Sequence, residues 1–382
     1  MSIPGSAFQH MNTTPLISKP HYPILDGLRG VAAVTVVAFH ICEANSTSPF
    51  TQIINHGYLA VDFFFLLSGF VVGYAYDDRW GKMSVGDFFR RRLIRLQPMV
   101  VLGMIVGGVC FYFQQGGLWP GISQVPVWKM LLVMLIGFTL IPLPPSMDIR
   151  GWAEMHPLDG PGWSLFFEYI ANILYALIVR RFSNTLLFIL VVLSAAALIH
   201  LAVTSPQGDL IGGWSIDPTQ LRVGFSRVMY PFFAGLLLFR SAKIPNIKNA
   251  FLWSSLLIIV VLSIPRIGGD THRWENGLYE VLVVIFIFPL IIYLGAGGEV
   301  RSKTGARICK FLGDISYPIY MTHYPLIYIY TAWVFDHKPS AGQSFGIGAV
   351  VMVFAITLAY ASLKLFDEPV RVWLKTKFLN SK

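Results

Sequence analysis

The sequence predicts an all-α protein built as a polytopic transmembrane helical bundle, and three observations support this fold class. Of the 382 residues, 55% are hydrophobic and only 13% are charged, and the mean hydropathy is +0.61. Such a composition is typical of membrane proteins. Apolar runs of membrane-spanning length recur along the chain. Basic residues cluster between these runs, so the formal charge of +9 indicates membrane topology and argues against nucleic-acid binding.

A hydropathy window of about 19 residues identifies the apolar segments in order. The eleven segments are residues 24–44, 57–76, 96–113, 126–143, 162–179, 185–203, 223–239, 250–265, 277–296, 311–335 and 344–366. The basic stretches between them, and the C-terminal RVWLKTKFLNSK, are expected in the cytoplasm. That orientation needs an even number of crossings with both termini cytoplasmic. We therefore expect about 10 crossings, and one segment within residues 96–143 that is re-entrant or lies at the surface.

The domain organisation follows from the same pattern. Residues 22–373 are expected to form one transmembrane domain between a cytoplasmic N-terminal tail, residues 1–21, and a cytoplasmic C-terminal tail, residues 374–382. The three cysteines lie in or beside apolar segments and are expected to pack as small hydrophobic residues. The nine histidines are scattered along the chain, so no metal site is predicted.

The first segment, LDGLRGVAAVTVVAFHI, places Arg29 and His40 inside an apolar run. Ionisable groups at bilayer depth are costly and normally face a water-filled cavity or a partner. The spacing of 11 residues puts both on one helix face, about 16 Å apart along the axis. In the predicted topology, Arg29 lies toward the cytoplasmic end and His40 toward the outer end. Both are candidate functional residues.

The second segment carries Asp62 near its predicted outer end, at a depth close to that of His40. This carboxylate is able to orient the imidazole, as the acid of a catalytic triad orients its base. Capping a helix or pairing with another residue is the alternative. The stretch just before the third segment is RRRLIR, in which Arg92 and Arg95 share one helix face. Their planar forks suit phosphate oxygens, although a plain cytoplasmic anchor has the same pattern.

Two later stretches hold further candidates. In GPGWSLFFEYI, Trp163 offers an indole N–H, Ser164 a hydroxyl, and Glu168 a carboxylate whose alternative role is an ion pair with a neighbouring helix. In DISYPIYMTHYPL, Tyr317 and His323 accompany two prolines that interrupt the helix, which suits the lining of a cavity. An aromatic belt and a packing histidine are the alternatives there.

Taken in order, these stretches resemble the acyltransferase-3 family of integral membrane O-acyltransferases. The matching stretches are LDGLRGVAAVTVVAFH, VDFFFLLSGF, RRLIRLQP, GPGWSLFFE, YPFFAGLLLF, DISYPIYMTHYPL and DEPVR. Each is a weak pattern by itself, but seven in series are specific. The resemblance runs from about residue 22 to residue 373 and therefore covers nearly the whole chain.

The resemblance implies transfer of an acyl group, with acetyl expected, from cytoplasmic acetyl-CoA to a hydroxyl of a sugar or glycan. Transfer is expected at the outer face of a bacterial inner membrane, among membrane lipids. Arg29 and His40 match the essential pair of the first helix, and Arg92 and Arg95 match the cytoplasmic RxxR element, where we expect the phosphates of coenzyme A. Further motif positions are those of Asp62, Trp163, Ser164, Glu168, Tyr317 and His323. This chain is expected to lack the C-terminal SGNH domain that some members carry.

The mechanism expected from these residues is direct transfer with His40 as general base. Asp62 or Glu168 would hold its tautomer. The candidate donors to the oxyanion are Trp163, Tyr317, Tyr320 and Arg29. A covalent intermediate on His40 or Ser164 stays open, as does homo-oligomerisation. The alternative acceptor is a cytoplasmic small molecule such as a macrolide. A transporter of an anionic substrate, which should show inverted repeats, and a non-catalytic membrane partner are alternatives from other classes.

Overall fold

The structure is a computed structural model that describes residue 19, residues 21–243 and residues 246–379. The expected N-terminal tail therefore lies almost entirely outside the described residues. In the described part of the chain all regular structure is helical, and the one β-bridge, between Ile247 and Gly298, is isolated. The prediction of an all-α fold is confirmed.

The described residues form fourteen α-helices. They are α1 (Pro23–Ala44), α2 (Ala60–Tyr76), α3 (Val85–Cys110), α4 (Val127–Gly137), α5 (Gly162–Leu177), α6 (Asn184–Thr204), α7 (Pro218–Ser241), α8 (Ala250–Ser263), α9 (Arg273–Leu282), α10 (Phe288–Ala296), α11 (Lys303–Thr322), α12 (Tyr324–His337), α13 (Ala341–Ser362) and α14 (Glu368–Phe378). Single π-helical turns join α9 to α10 and α13 to α14. The last helix continues through most of the expected C-terminal tail.

Seven helical stretches in the described ranges are long and apolar enough to cross a membrane. They are Pro23–Ala44, Gly57–Tyr76, Val85–Gln114, Asn184–Thr204, Pro218–Ser241, Arg273–Ala296 and Ala341–Phe378. Helix α4 lies in the region where we expected a segment that does not cross. It has 11 residues, about 16 Å of helix, which is shorter than the hydrocarbon core of about 30 Å. The count of ten crossings and the cytoplasmic termini stay predictions.

The tenth apolar segment differs from the single run that the sequence suggested. It forms two helices that meet at His323, because α11 ends at Thr322 and α12 begins at Tyr324. Pro325 lies at the start of α12 and has no backbone N–H to continue the helical hydrogen bonding from α11. The break places His323 at a junction in the interior of the bundle.

The helices that carry the candidate residues are packed closely. Helix α1 packs against α11, and α2 packs against α7. The crossing of α2 and α7 depends on two glycines, since a Cβ atom on Gly69 would lie 2.0 Å from the carbonyl oxygen of Phe232, and one on Gly235 would lie 1.9 Å from that of Leu66. Small residues permit such close approach of backbones in membrane proteins.

Candidate active site

A cavity of about 820 Å³ lies between α1, α2, α3, α5, α11 and the C-terminal helical segment. One end is lined by charged side chains that include Arg95, Lys310 and Lys375. The other end is lined by Val61, Ser164 and apolar or aromatic residues of α2 and α11. The cavity therefore runs from a charged end to a largely apolar end, along the face of α1 that carries Arg29.

Arg29 lines this cavity and is held by α11. Its Nε donates to Oγ of Ser316 at 2.6 Å, and its Nη2 donates to the carbonyl of Gly313 at 3.1 Å. Asp26, one turn earlier in α1, lies 3.3 Å from the same guanidinium. The arginine thus has both of the environments expected for a charge at bilayer depth, a cavity and polar partners.

Arg92 and Glu168 form an ion pair on the cavity wall, with Nη2 and Oε1 2.6 Å apart. The hydroxyl of Ser68 also donates to Oε1 of Glu168, at 2.7 Å. Glu168 therefore has the inter-helix ion pair that was its alternative role, and it makes no contact with His40. Arg95, one turn further along α3, lines the same cavity and makes no hydrogen bond or ion pair with any described residue.

The apolar end of the cavity is closed by Phe64 and Tyr320. Their rings meet edge to face, with centroids 5.7 Å apart. The hydroxyls of Tyr320 and Ser164 lie 2.6 Å apart, and Oγ of Ser164 also lies 3.1 Å from the carbonyl of Pro161. Tyr317 lines the cavity too, but its hydroxyl donates to the carbonyl of Leu96 at 2.7 Å. The two hydroxyls at this end that contact each other are therefore those of Ser164 and Tyr320.

His40 lies beyond the closed end of the cavity, near the C-terminus of α1. Its Nδ1 atom is 2.7 Å from Oε2 of Glu43, one helical turn later. A carboxylate at that distance accepts a hydrogen bond, so Nδ1 carries a hydrogen, and in the neutral imidazole Nε2 keeps its lone pair. The imidazole side chain is 14% exposed, whereas that of Glu43 is 52% exposed. His40 thus has the tautomer of a general base without any contribution from Asp62.

His323 connects the cavity to His40. Its ring centroid is 6.2 Å from that of Tyr320 and 5.7 Å from that of His40. Nδ1 lies 2.8 Å and 3.0 Å from the carbonyl oxygens of Ile319 and Tyr320, so Nδ1 carries its hydrogen. The Nε2 atom is buried and has no hydrogen-bond partner among the described residues. Two imidazoles with a free Nε2 lone pair therefore follow one another at this end of the bundle.

Asp62 and Trp163 lie on the other side of α2 and α5, away from the cavity lining. Asp62 is fully buried and forms an ion pair with Arg227 of α7, with Oδ2 and Nη2 2.6 Å apart. Arg227 lies over the indole of Trp163 at 5.2 Å. Asp62 therefore pairs with another residue, which was its alternative role, and does not orient His40. Helix α7 brings a guanidinium to this carboxylate, while Glu43 contacts Nδ1 of the imidazole.

The loop between α4 and α5 covers the end of the bundle next to His40. The guanidinium of Arg150 lies 3.5 Å above the ring of Tyr328 and donates to Glu154, whose carboxylate also accepts from the Tyr328 hydroxyl at 2.5 Å. Burial raises the pKa of Glu154 and raises that of Asp159 well above its usual range. Burial lowers the pKa of His156 to about 4. The loop is therefore a packed cover with buried polar groups.

Sequence reasoning missed Glu43 and Arg227 as supporting groups, whereas the hydroxyl of Tyr320 was among the expected oxyanion donors. The spacing of three residues between His40 and Glu43 was a usable signal, since such positions are neighbours on a helix. No local signal identifies Arg227, which lies 165 residues from its partner Asp62 in the chain.

The fold and site describe an integral membrane protein with a charged-to-apolar cavity that leads toward paired histidines. Residues 22–363 match the acyltransferase-3 family, described as an acyltransferase domain. The chain belongs to this family. No solved structure matches.

Three relatives illustrate the family. A protein named protein 2 in picA locus, from Rhizobium radiobacter, is 33% identical over 40% of this chain and 80% of its own length. The peptidoglycan O-acetyltransferase OatA of Listeria monocytogenes is 22% identical over 97% of this chain and 58% of its own length. The acyltransferase MdmB of Streptomyces mycarofaciens is 33% identical over 38% of this chain and 36% of its own length. This chain thus aligns with little more than half of OatA.

Proposed function

We propose that the protein is an acyl-CoA-dependent O-acyltransferase that moves an acyl group, acetyl in the first instance, to a hydroxyl of a sugar or glycan. The observation that carries the proposal is the cavity of about 820 Å³, which joins the unpaired Arg95 to Ser164 and Tyr320. An acyl-CoA has phosphates at one end and a thioester at the other, which matches the charged and apolar ends of this cavity. Family membership and relatives named as O-acetyltransferases support the reaction class.

The donor lies with its phosphates at the charged end of the cavity. Arg95 supplies an uncompensated guanidinium there, while Arg92 shares its charge with Glu168. Arginine forms charge-assisted, bidentate hydrogen bonds with phosphate oxygens. The pantetheine arm then extends past Arg29 toward the apolar end, which brings the thioester to the region of Phe64, Ser164 and Tyr320.

His40 acts as the general base. Its Nε2 accepts the proton of the attacking hydroxyl as the hydroxyl oxygen bonds to the thioester carbonyl carbon. The carbon–sulfur bond then breaks, and the imidazolium returns the proton to the thiolate of coenzyme A. Glu43 holds the tautomer and stabilises the imidazolium. The Tyr320 hydroxyl, which lies 2.6 Å from that of Ser164, would turn away from Ser164 to donate to the developing oxyanion.

Transfer requires the barrier between the cavity and His40 to open. His323 is 1% exposed and Tyr320 is 8% exposed, and His40 is not part of the cavity lining. The donor and acceptor sides are therefore separated in this conformation. Movement of the Phe64 and Tyr320 rings would place the thioester beside the two histidines. Such a closed site also keeps water from the thioester until the acceptor binds.

The acceptor reaches His40 from the side covered by the α4–α5 loop, and the basic-residue pattern predicts that this loop lies outside the cytoplasm. A glycan is the proposed acceptor because OatA, which aligns with 97% of this chain, is named as a peptidoglycan O-acetyltransferase. Acceptors of this kind lie outside a bacterial inner membrane, which is the proposed location of the protein.

The test measures release of free thiol from acetyl-CoA by the purified protein in detergent, together with acetyl-CoA binding. We expect His40→Ala to bind acetyl-CoA and to lose turnover by about 10²- to 10⁴-fold. The matched control is His200→Ala, an exposed histidine on α6. Replacing Arg92 and Arg95 together by Ala should weaken binding. A parent protein that neither binds nor cleaves acetyl-CoA would show the donor assignment to be wrong.

A further inference from the structure

The charged end of the cavity contains more positive charge than its carboxylates neutralise. Six arginines and lysines line the cavity among the described residues. Four of them are paired with a carboxylate, in the pairs Arg29–Asp26, Arg92–Glu168, Lys310–Asp314 and Arg371–Asp367. The fifth carboxylate of the lining, Glu368, is held by Lys364 at 2.6 Å. Arg95 and Lys375 are left without an acidic partner in the described part of the chain.

These two cations come from different helices that meet at the cavity. Arg95 lies on α3 and is half-buried, and Lys375 lies on α14 and is exposed. Helices α3 and α14 pack against each other. A half-buried guanidinium that has lost part of its hydration is stabilised by an anion, and a second cation nearby strengthens the attraction. The two side chains therefore define one anion site, with Arg95 inside and Lys375 at the opening.

We propose that Lys375 binds a phosphate of the acyl donor together with Arg95, so that α14 forms the entrance to the donor site. The inference rests on the proposed function and extends it to a helix beyond residues 22–363, the range of the family match. Lysine binds phosphate as a flexible point charge, which suits a position at the opening, whereas the fork of Arg95 provides geometry deeper in the cavity.

The same chemistry fits the phosphate of an anionic lipid, and the experiment separates the two sources. Acetyl-pantetheine carries the thioester and its arm but no nucleotide phosphates. A residue that binds a donor phosphate affects acetyl-CoA and leaves acetyl-pantetheine unchanged. A residue that binds lipid affects both donors equally, and its effect depends on anionic lipid in the surrounding bilayer.

The experiment determines KM and kcat for both donors in neutral-lipid nanodiscs, with thiol release as the readout. For Lys375→Gln we expect KM for acetyl-CoA to rise by about tenfold, the effect of one lost charge-assisted hydrogen bond, with kcat unchanged. KM for acetyl-pantetheine should stay the same. Lys375→Arg should retain most of the affinity. The matched control is Lys377→Gln, whose ammonium lies 5.0 Å over the ring of Trp373 and is not part of the cavity lining.

Equal shifts for the two donors, or equal shifts for Lys375→Gln and Lys377→Gln, would overturn the inference. If the parent cleaves acetyl-CoA and Lys375→Gln has the same KM as the parent, the inference is wrong but the proposed function is unaffected. If Lys375→Gln differs from the parent only after phosphatidylglycerol is added, and equally for both donors, the site binds lipid and the inference is wrong. A parent that cleaves neither donor refutes both the proposed function and this extension.

Discussion

Nδ1 of His40 and Oε2 of Glu43 lie 2.7 Å apart within one turn of α1. The pair is local in sequence, so helix geometry alone makes the two side chains neighbours, and their contact specifies one tautomer of the imidazole. In the proposed reaction this leaves Nε2 free to accept the proton of the acceptor hydroxyl.

The first prediction concerns this pair. Glu43→Gln replaces an acceptor-only carboxylate by an amide, which no longer specifies the tautomer or stabilises the imidazolium. We expect kcat to fall by about tenfold or more, less than the loss in His40→Ala, with KM for acetyl-CoA unchanged. Glu275→Gln, on α9, serves as the control. Unchanged kcat in Glu43→Gln would show that the carboxylate does not support the base.

The second prediction concerns the buried pair of Asp62 and Arg227. Asp62→Asn leaves the Arg227 guanidinium uncompensated inside the bundle, which should lower the free energy of unfolding by about 3–5 kcal/mol. The readout is the thermal midpoint in detergent, followed by fluorescence-detected gel filtration. The double variant with Arg227→Leu should recover part of the loss. If Asp62→Asn keeps the stability of the parent but has a much lower kcat, Asp62 instead takes part in the reaction.

The third prediction concerns the crossing of α2 and α7. Gly69→Ala would place a methyl group 2.0 Å from a backbone oxygen of α7, so the helices must separate. We expect the free energy of unfolding to fall by about 1–3 kcal/mol, the usual effect of overpacking. Gly346→Ala in α13 is the control, because a Cβ there meets nothing within 4 Å. That change should preserve or raise the thermal midpoint, since alanine favours helix over glycine.

The fourth prediction concerns pH and His156. Its pKa is lowered from 6.5 to about 4 by burial, and Nδ1 has no hydrogen-bond partner among the described residues. Between those values the unfolded chain takes up a proton that the native state excludes. The contribution of His156 to the free energy of unfolding is therefore fully present above about pH 6.5. As the pH falls from there toward about 4, this contribution decreases by about 1.4 kcal/mol per pH unit.

His156→Gln removes this titration. Its thermal midpoint should fall less than that of the parent between about pH 7.5 and about pH 5, where a buried neutral histidine destabilises on acidification. The control is His272→Gln, which changes an exposed histidine in the loop before α9. Parallel losses in the parent and in His156→Gln would contradict the prediction.

The fifth prediction concerns the choice of acyl group. Phe64 closes the apolar end of the cavity against Tyr320, so a smaller side chain lengthens the space for the acyl chain. We expect Phe64→Leu to raise the ratio of kcat/KM for butyryl-CoA over acetyl-CoA by roughly tenfold, since each buried methylene contributes about 0.8 kcal/mol. Phe63→Leu is the control, because Phe63 packs against Phe288 outside the cavity. If Phe64→Leu and Phe63→Leu give equal ratios of kcat/KM, Phe64 does not limit the length of the acyl chain.

Much of the fold was predictable because hydropathy is a local property. The eleven apolar segments correspond to helices, and the weak region within residues 96–143 contains the short α4. The tenth segment was not resolved into two helices by hydropathy, because both parts are apolar. Pro325 marked the break, but the prediction that Pro318 also interrupts the helix was wrong, because α11 continues through it to Thr322.

The candidate site was predictable where one helix contains both partners. Arg29, His40 and the arginines of α3 could be placed on helix faces from spacing alone, because helical geometry is fixed by the backbone. The role of Glu168 was left between an ion pair and a catalytic group. The structure places Arg92 and Ser68 against it, so its carboxylate forms the inter-helix pair.

The sequence alone determined an all-helical membrane protein with ionisable residues on the face of the first helix. The tertiary structure decided which charges meet. The sequence predicted that Asp62 lies at a depth similar to that of His40, yet Asp62 pairs with Arg227, 165 residues away in the chain. Arg95 and Lys375 line one cavity and have no acidic partner among the described residues. The physical reason is range. Hydropathy and helical spacing are set by neighbours in the chain, whereas the compensation of a buried charge depends on which distant helix packs against it.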